Sequence, residues 1–181
     1  YLEDPNEYLA SLLKDADDYL LQKALTPHED LHPLMPGTGM GTVRVVTVNS
    51  RRGPKVTFAC AKIPMGENVS DNFVGGQTGN LVASVDLASG ALGTVYAPGP
   101  VIPTVLARVN RHPVTGLDFD GYRYPHWDEI VSLAITAADK FDSLYTAGWD
   151  IALTTDGPVL VETNWRYDVD ILQVASQRPL R

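Results

Sequence analysis

The sequence predicts an α+β fold, an antiparallel β-sheet with flanking helices, from two patterns. Apolar stretches with strand character come in consecutive pairs joined by short turns, at residues 43–63 and 81–97. Stretches with apolar residues at helical spacing accompany them, at residues 4–16 and 125–141. Strands joined by tight turns pair antiparallel, because parallel neighbours need a long crossover. Helices with one apolar stripe then cover such a sheet.

Composition and charge narrow the classes of partner. The 181 residues are 44% apolar and 20% charged, as in ordinary globular domains. The net charge of −8 argues against nucleic acid or an anionic membrane as the main partner. No apolar run approaches the roughly 20 residues of a membrane-spanning helix. Cys60 is the single cysteine, which excludes an intrachain disulfide and agrees with a reducing, cytoplasmic location.

The first helix has a clearly marked start. Asp4 suits the N-cap, Pro5 fits the first helical position, and Glu7 completes a capping box.

A short apolar stretch at 18–22 resembles a buried strand, and the proline- and glycine-rich residues 26–41 are predicted to form a loop. Because the chain begins at a tyrosine in the middle of an element, we expect it to be a fragment of a longer protein.

The central elements follow in chain order. Residues 43–50 and 55–63 form the first predicted strand pair, and a glycine- and asparagine-rich loop fills 68–80. Ser89-Gly90 is the turn of the second pair, and loops occupy most of 98–125.

The second helix and the tail complete the predicted fold. The helix at 125–141 has one apolar stripe, formed by Ile130, Leu133, Ala134 and Ala137. Residues 169–177 are predicted to form a last short helix.

The stretch HEDLH matches the HExxH pattern of zinc peptidases, with His28, Glu29 and His32 in the pattern positions. That chemistry requires a helix that turns both histidines towards one metal. Pro27 and Pro33 enclose the motif, and proline does not continue a helix beyond its first turn. We therefore predict a polar loop here and retain a zinc peptidase as the third functional hypothesis.

The stretch GTGMG, residues 37–41, has the composition of a nucleotide-binding loop. A dinucleotide fingerprint follows a strand and opens a helix. This stretch follows a loop and opens a strand, so we predict a connector.

Residues 148–165, GWDIALTTDGPVLVETNW, form a predicted hairpin with acids inside its strands. Acids are disfavoured in strands, so Asp150 and Glu162 require a reason. A two-residue turn at Asp156-Gly157 would put Glu162 on the apolar face. A three-residue turn over 155–157 would give one apolar face and place Asp150 opposite Glu162. The apolar pattern favours this second register.

The favoured register creates a candidate metal platform. Two carboxylates directly opposite each other repel unless a cation lies between them. Asn164 lies on the same side as Glu162, so the carboxylates of Asp150 and Glu162 and the amide of Asn164 would converge. Such oxygen donors suit Mg²⁺, which keeps waters and takes further ligands from phosphates. A solvated sheet face that carries the same side chains is the alternative.

With these residues identified, the sequence resembles the ATP-grasp superfamily. The hairpin resembles that superfamily's metal hairpin, which has an acid on one strand and Glu-x-Asn on the next. The stretches TVRVVT, DNFVGG and HPVTG resemble the sugar-transfer associated ATP-grasp branch, which is related to α-L-glutamate ligases. The resemblance runs from about Asp18 to the end of the chain.

The resemblance implies a role for each candidate residue. Asp150, Glu162 and Asn164 would bind Mg²⁺ or Mn²⁺ that bridges the phosphates of ATP. The remaining residues fall into three groups: Arg44 and Lys62 beside the phosphates, Asn72 with Gly75 and Gly76 beside the reacting carboxylate, and Gln22 with Ala24 at the adenine hinge within residues 20–25. Each has a plain alternative, such as an edge-strand guard for Arg44 or a solvated strand end for Lys62.

The implied function is that of an ATP-dependent carboxylate ligase. ATP would activate a small-molecule or peptide carboxylate as an acyl phosphate, which an amine or another nucleophile then attacks. Residues 1–25 would be the tail of a preceding subdomain with the adenine hinge, and residues 26–181 the C-terminal subdomain. The N-terminal subdomain would be missing, so we expect this chain alone to be incomplete. A non-catalytic nucleotide- or metal-binding module is the alternative.

Overall fold

The computed structural model of the protein describes residues 4–12, 22–99, 102 and 105–177. These residues form a seven-stranded antiparallel sheet with flanking helices, which confirms the predicted α+β class. The elements in chain order are α1 (Pro5–Leu12), β1 (Thr42–Ser50), β2 (Gly53–Ile63), β3 (Leu81–Val85), β4 (Leu92–Pro98), β5 (Leu106–Val109), α2 (Trp127–Lys140), β6 (Thr146–Thr154), β7 (Gly157–Asn164) and α3 (Val169–Ser176).

The strand order places β1 in the interior of the sheet. The order is β5-β4-β3-β2-β1-β6-β7, so that β2 and β6 pair with the two sides of β1. The predicted pairs β1–β2 and β3–β4 are confirmed. Within the range 98–125, most of which was predicted to be loop, the structure adds the edge strand β5, whose four residues are too few to show a periodic pattern.

The two faces of the sheet differ in what covers them. Neighbouring residues of β1 point to opposite faces. Val43 and Val45 belong to the larger core, which includes Ile130 of α2, whereas Val46 belongs to a smaller core with Ile171 of α3. The helices α2 and α3 therefore cover opposite faces.

The start of α1 and both ends of α2 and α3 lie close to the predicted positions. Asp4 accepts a hydrogen bond from the backbone N–H of Asn6, 2.8 Å away, as the N-cap prediction requires. In α2, Ile130, Ala134 and Ala137 are buried along the predicted stripe. The predicted short tail helix is confirmed as α3. Residues 18–21 of the predicted strand at 18–22 and the predicted helical residues 13–16 lie outside the described residues, and residue 22 itself is not in a strand.

The final hairpin has the predicted acid pair but not the predicted turn. The turn consists of Thr155 and Asp156 alone, with Thr154 paired to Gly157, so the predicted three-residue turn is wrong. A bulge then shifts the register between Ile151 and Asp150, which restores Asp150 opposite Glu162. The extra residue in β7 is what lets a two-residue turn and a facing acid pair coexist.

The loop before β1 is anchored by apolar residues. Leu31, Leu34 and Met35 are buried in the larger core. HEDLH forms only a 3₁₀ turn over Glu29–Leu31, so the helix that a HExxH zinc site needs is absent from this segment.

The glycines of GTGMG serve close packing between backbones. A Cβ atom on Gly39 would lie 2.1 Å from the carbonyl oxygen of Asn68, so only glycine fits there. This agrees with a connector. In the part of the chain that the structure describes, no helix has the length and apolar character needed to cross a membrane.

Candidate functional site

The candidate site is built on a bidentate ion pair between β1 and β6. Arg44 and Asp150 are partners in the strand register, so their side chains lie side by side on the face that α3 covers. The Nε atom of Arg44 donates to Oδ1 of Asp150 at 2.8 Å, and a terminal nitrogen donates to Oδ2 at 2.7 Å. Asp150 is 2% exposed. The interior position of β1 rules out the edge-guard alternative for Arg44.

Lys62 extends this pair into a network of alternating charges. Its Nζ atom donates to Asp150 Oδ2 at 3.0 Å and to Asp71 Oδ1 at 3.1 Å. Asp71 is anchored in turn, because its Oδ2 atom accepts from the backbone and hydroxyl of Thr42. Lys62 is 4% exposed, which rules out the solvated strand end.

The network keeps its central groups ionised. Burial alone would raise the pKa of Asp150, but the hydrogen bonds from Arg44 and the charge of Lys62 outweigh burial and lower that pKa below its usual value. Burial likewise opposes the charge of Arg44, and the contact with Asp150 reverses the effect, so the pKa of Arg44 is raised. Because the charge effects outweigh burial for both residues, Arg44 and Asp150 form an ionised pair in the folded chain.

Glu162 and Asn164 lie at the solvent side of the same network. The Glu162 side chain is 57% exposed and its Oε1 atom lies 4.0 Å from the Arg44 guanidinium. Asn164 donates its amide hydrogen to this same oxygen at 2.6 Å. The guanidinium of Arg44 is therefore the cation that contacts both facing acids in this structure. Its positive charge offsets the repulsion between the two carboxylates without requiring a metal ion.

These residues border one open cleft of about 360 Å³. The predicted residues Arg44, Lys62, Asn72, Glu162 and Asn164 line it, and Asp150 supports them from beneath. Further lining comes from residues that the sequence did not single out: Phe73, Val74, Arg166, Asp168 and Ile171.

The loop between β2 and β3 closes one side of the cleft through an unusual turn. Val74, Gly75 and Gly76 have successive φ angles of 45°, 59° and 93°. Such values are ordinary for glycine but rare for a β-branched residue. Val74 nevertheless exposes 55% of its surface. The predicted Gly75 and Gly76 thus shape the backbone that carries Asn72 into the cleft.

Two predicted residues do not join this cluster. Gln22 and Ala24 are exposed in unpaired chain ahead of β1, and neither lines the cleft. The chain after them is held to the hairpin turn, because the backbone of Thr155 donates to the carbonyl of Thr26.

Asp71 is the main site residue that sequence reasoning missed. Asp71 is the first residue of DNFVGG, one of the stretches that carry the family resemblance. No local sequence pattern, however, distinguishes a buried aspartate from one that is exposed in a loop. Its role depends on Lys62 and Thr42, which lie 9 and 29 residues away in the chain.

Comparison with models of known protein families gives a match. A model of the sugar-transfer associated ATP-grasp family matches residues 6–181, which confirms the resemblance that the hairpin and the three shorter stretches predicted. Comparison with curated proteins and with solved structures gives no significant match.

Proposed function

Since the chain belongs to the sugar-transfer associated ATP-grasp family, an ATP-dependent ligase-type family, we propose that it is the metal- and phosphate-binding half of a carboxylate ligase. In that reaction a carboxylate oxygen attacks the γ-phosphorus of ATP and ADP leaves. A nucleophile such as an amine then attacks the acyl carbon and displaces phosphate. The substrate would be a small-molecule or peptide carboxylate.

One observation carries the proposal. Two basic side chains, Arg44 and Lys62, meet two oxygen-bearing side chains, Glu162 and Asn164, at one cleft. Phosphoryl transfer needs cationic groups around the transferred phosphoryl group and oxygen ligands for a divalent ion. Both requirements meet within a single face of the sheet, opposite the face that α2 covers.

The donor set fits a magnesium ion. Asn164 uses its amide hydrogen on Glu162, which leaves its own carbonyl oxygen and the second oxygen of Glu162 available. Asp150 receives three hydrogen bonds from Arg44 and Lys62, and a carboxylate offers about four lone-pair sites. We therefore assign Asp150, Glu162 and Asn164 to Mg²⁺ or Mn²⁺, whose bound form would neutralise phosphate charge.

The basic residues are held ready for the phosphates. Asp150 fixes the orientation of Arg44 through two hydrogen bonds, so little side-chain entropy remains to be lost on binding. The N–H groups that Asp150 leaves unused can donate towards the cleft that Arg44 lines. Lys62 adds a second positive charge, and Asn72 would orient the reacting carboxylate.

We further propose the domain division that the family implies. Residues 26–181 would be the C-terminal subdomain, and residues 1–25 the tail of a preceding subdomain with the adenine hinge at Gln22 and Ala24. The cleft is open, so a second subdomain would be needed to cover the nucleotide and exclude water.

The proposal is tested by NMR titration of the ¹⁵N-labelled chain with ATP in the presence of Mg²⁺. We expect shifts at Arg44, Asn72, Glu162 and Asn164, saturating at millimolar ATP and at lower concentration in a longer chain with its natural upstream segment. Mg²⁺-dependent ADP formation with candidate carboxylates is then measured on the longer chain.

A matched pair of variants makes the test specific. Glu162→Gln should weaken the response to Mg²⁺-ATP, whereas Asp156→Asn, an exposed acid at the turn of the same hairpin, should leave it unchanged. Binding without ADP formation in the longer chain would favour the non-catalytic module. If neither chain shows shifts at the cleft, the nucleotide site is wrong.

A further inference from the structure

A second cluster of ligand-forming side chains lies on the other side of the sheet. His28, Asp30 and His126 each offer one nitrogen or oxygen atom, and these atoms lie within 4.8 Å of one another. Within the described ranges, no other group of three histidine, cysteine or carboxylate side chains meets this spacing. The cluster joins the 3₁₀ turn before β1 to the start of α2, so it lies beside the larger core and away from the cleft.

Glu129 fixes which nitrogen of His126 faces the cluster. Nδ1 of His126 lies 2.8 Å from Oε1 of Glu129. An ionised carboxylate only accepts hydrogen bonds, so Nδ1 carries the hydrogen and Nε2 of the neutral ring has a free lone pair. This Nε2 atom lies 3.8 Å from Oδ2 of Asp30. A carboxylate behind a ligating histidine is the usual second-shell partner at metal sites.

His28 brings a further lone pair to the same carboxylate oxygen. Its Nδ1 atom accepts a weak, 3.2 Å hydrogen bond from the backbone N–H of Asp30 and lies 3.6 Å from Oδ2 of Asp30. The two imidazole rings are 4.7 Å apart between their centres. Two imidazole rings and a carboxylate oxygen thus converge, and a cation that displaced the weak N–H contact on Nδ1 of His28 would be attracted to all three groups.

We propose that His28, Asp30 and His126 bind a divalent transition-metal ion, with Zn²⁺ as the best match. Two imidazoles and one carboxylate are a borderline-soft donor set, which favours zinc over magnesium or calcium. Three protein ligands leave a fourth position for water or an exogenous ligand. The ion would link the turn before β1 to α2, and this site is independent of the proposed nucleotide site.

The backbone holds the ligands near one another before any ion binds. The N–H of His28 donates to the carbonyl of Leu153 at 3.1 Å, which ties the turn to the end of β6. His126 has a φ of 55°, a left-handed conformation that is rare outside glycine, directly before α2. Strained backbone of this kind persists where the surrounding structure fixes it, often at binding sites.

The experiment is a Zn²⁺ titration of the full chain against a chromophoric chelator, with Co²⁺ as a spectroscopic substitute. We expect one Zn²⁺ per chain, visible Co²⁺ absorption bands typical of low coordination number, and no displacement by a roughly thousandfold excess of Mg²⁺. His28→Ala and His126→Ala should each weaken binding by more than about 100-fold, because each removes a direct ligand.

Two further variants guard against misfolding and non-specific binding. Glu129→Gln keeps all three ligands and should weaken binding by about 10- to 100-fold, as loss of a second-shell partner does. His32→Ala removes an exposed histidine four residues after His28 and should leave binding unchanged. Loss of binding in His32→Ala would overturn the assignment in favour of the HEDLH pair. Absence of stoichiometric Zn²⁺ binding to the wild-type chain would overturn the proposal.

Discussion

Replacing Asp150 by asparagine tests the central ion-pair network most directly. The substitution keeps the shape of the side chain but removes a charge that accepts three hydrogen bonds, two from Arg44 and one from Lys62. Removing one partner of a buried ion pair costs about 3–5 kcal/mol, because the other charge stays buried without compensation. Glu162 lies 4.0 Å from Arg44 and can move towards it, so we expect the lower end, about 3 kcal/mol.

The measurement is urea unfolding at neutral pH, with Glu162→Gln as the matched control. Both variants remove one negative charge from the same pair of facing positions. The exposed Glu162 should contribute less than about 1 kcal/mol, as surface ion pairs do. A loss of about 3 kcal/mol is a large part of a typical stability of about 5–15 kcal/mol. If the two variants lose equal stability, the asymmetry that we infer between Asp150 and Glu162 is wrong.

The same comparison has a defined pH dependence. The pKa of Asp150 is lowered in the folded chain, since its ion pairs outweigh the cost of burial. Its contribution to stability is therefore complete above the unfolded-state pKa of about 3.9 and is lost as the pH falls through the lower folded-state pKa. We expect the difference in unfolding free energy between wild type and Asp150→Asn to be constant near neutrality and to shrink below about pH 4.

Two further predictions concern residues that border the site. Burial raises the pKa of the Cys60 thiol to about 12, so Cys60 should resist a thiol reagent at pH 8 in the native chain and react once urea unfolds it. Equal rates in the two states would contradict the burial of this thiol. Val74→Gly should raise the free energy of unfolding, measured by urea titration, by about 1 kcal/mol or slightly less. The reason is that a β-branched residue in the left-handed conformation is strained, while its side chain is 55% exposed and makes few contacts to lose. A lower free energy of unfolding would mean that contacts of the Val74 side chain outweigh this strain.

The elements that sequence reasoning predicted well are those with strong local patterns. The strand pairs β1–β2 and β3–β4 combine clear periodicity with turn residues, and the helix α2 has a clear apolar stripe. All three are present as expected. The site residues on these strands, Arg44 and Lys62, were predicted through the family resemblance. Their burial and their partners were not, because strand periodicity alone does not say which face another helix covers.

What the sequence could not predict depends on contacts between distant residues. The bulge that places Asp150 opposite Glu162 has no recognisable pattern in the hairpin sequence. The predicted turn length was therefore wrong, although the predicted acid pair was right. The histidine cluster joins residues 98 positions apart, His28 and His126, which only the packing of α2 against the sheet brings together. Such pairings are set by the tertiary fold and not by local propensity.

Under the proposed function, we expect a nucleotide to bind this cleft only together with a metal ion, because of the charges that the cleft holds. The network holds two cations and three carboxylates, namely Arg44 and Lys62 with Asp71, Asp150 and Glu162. On the rim, Arg166 and Asp168 have opposite charges and cancel. The site thus has one net negative charge, and the ion pairs with Asp150 and Asp71 already use much of the attraction that Arg44 and Lys62 could offer. A free triphosphate would meet repulsion, whereas a divalent ion on the proposed ligands Asp150, Glu162 and Asn164 would reverse the local sign. The acids that first seemed misplaced inside a strand would then make nucleotide binding dependent on the metal.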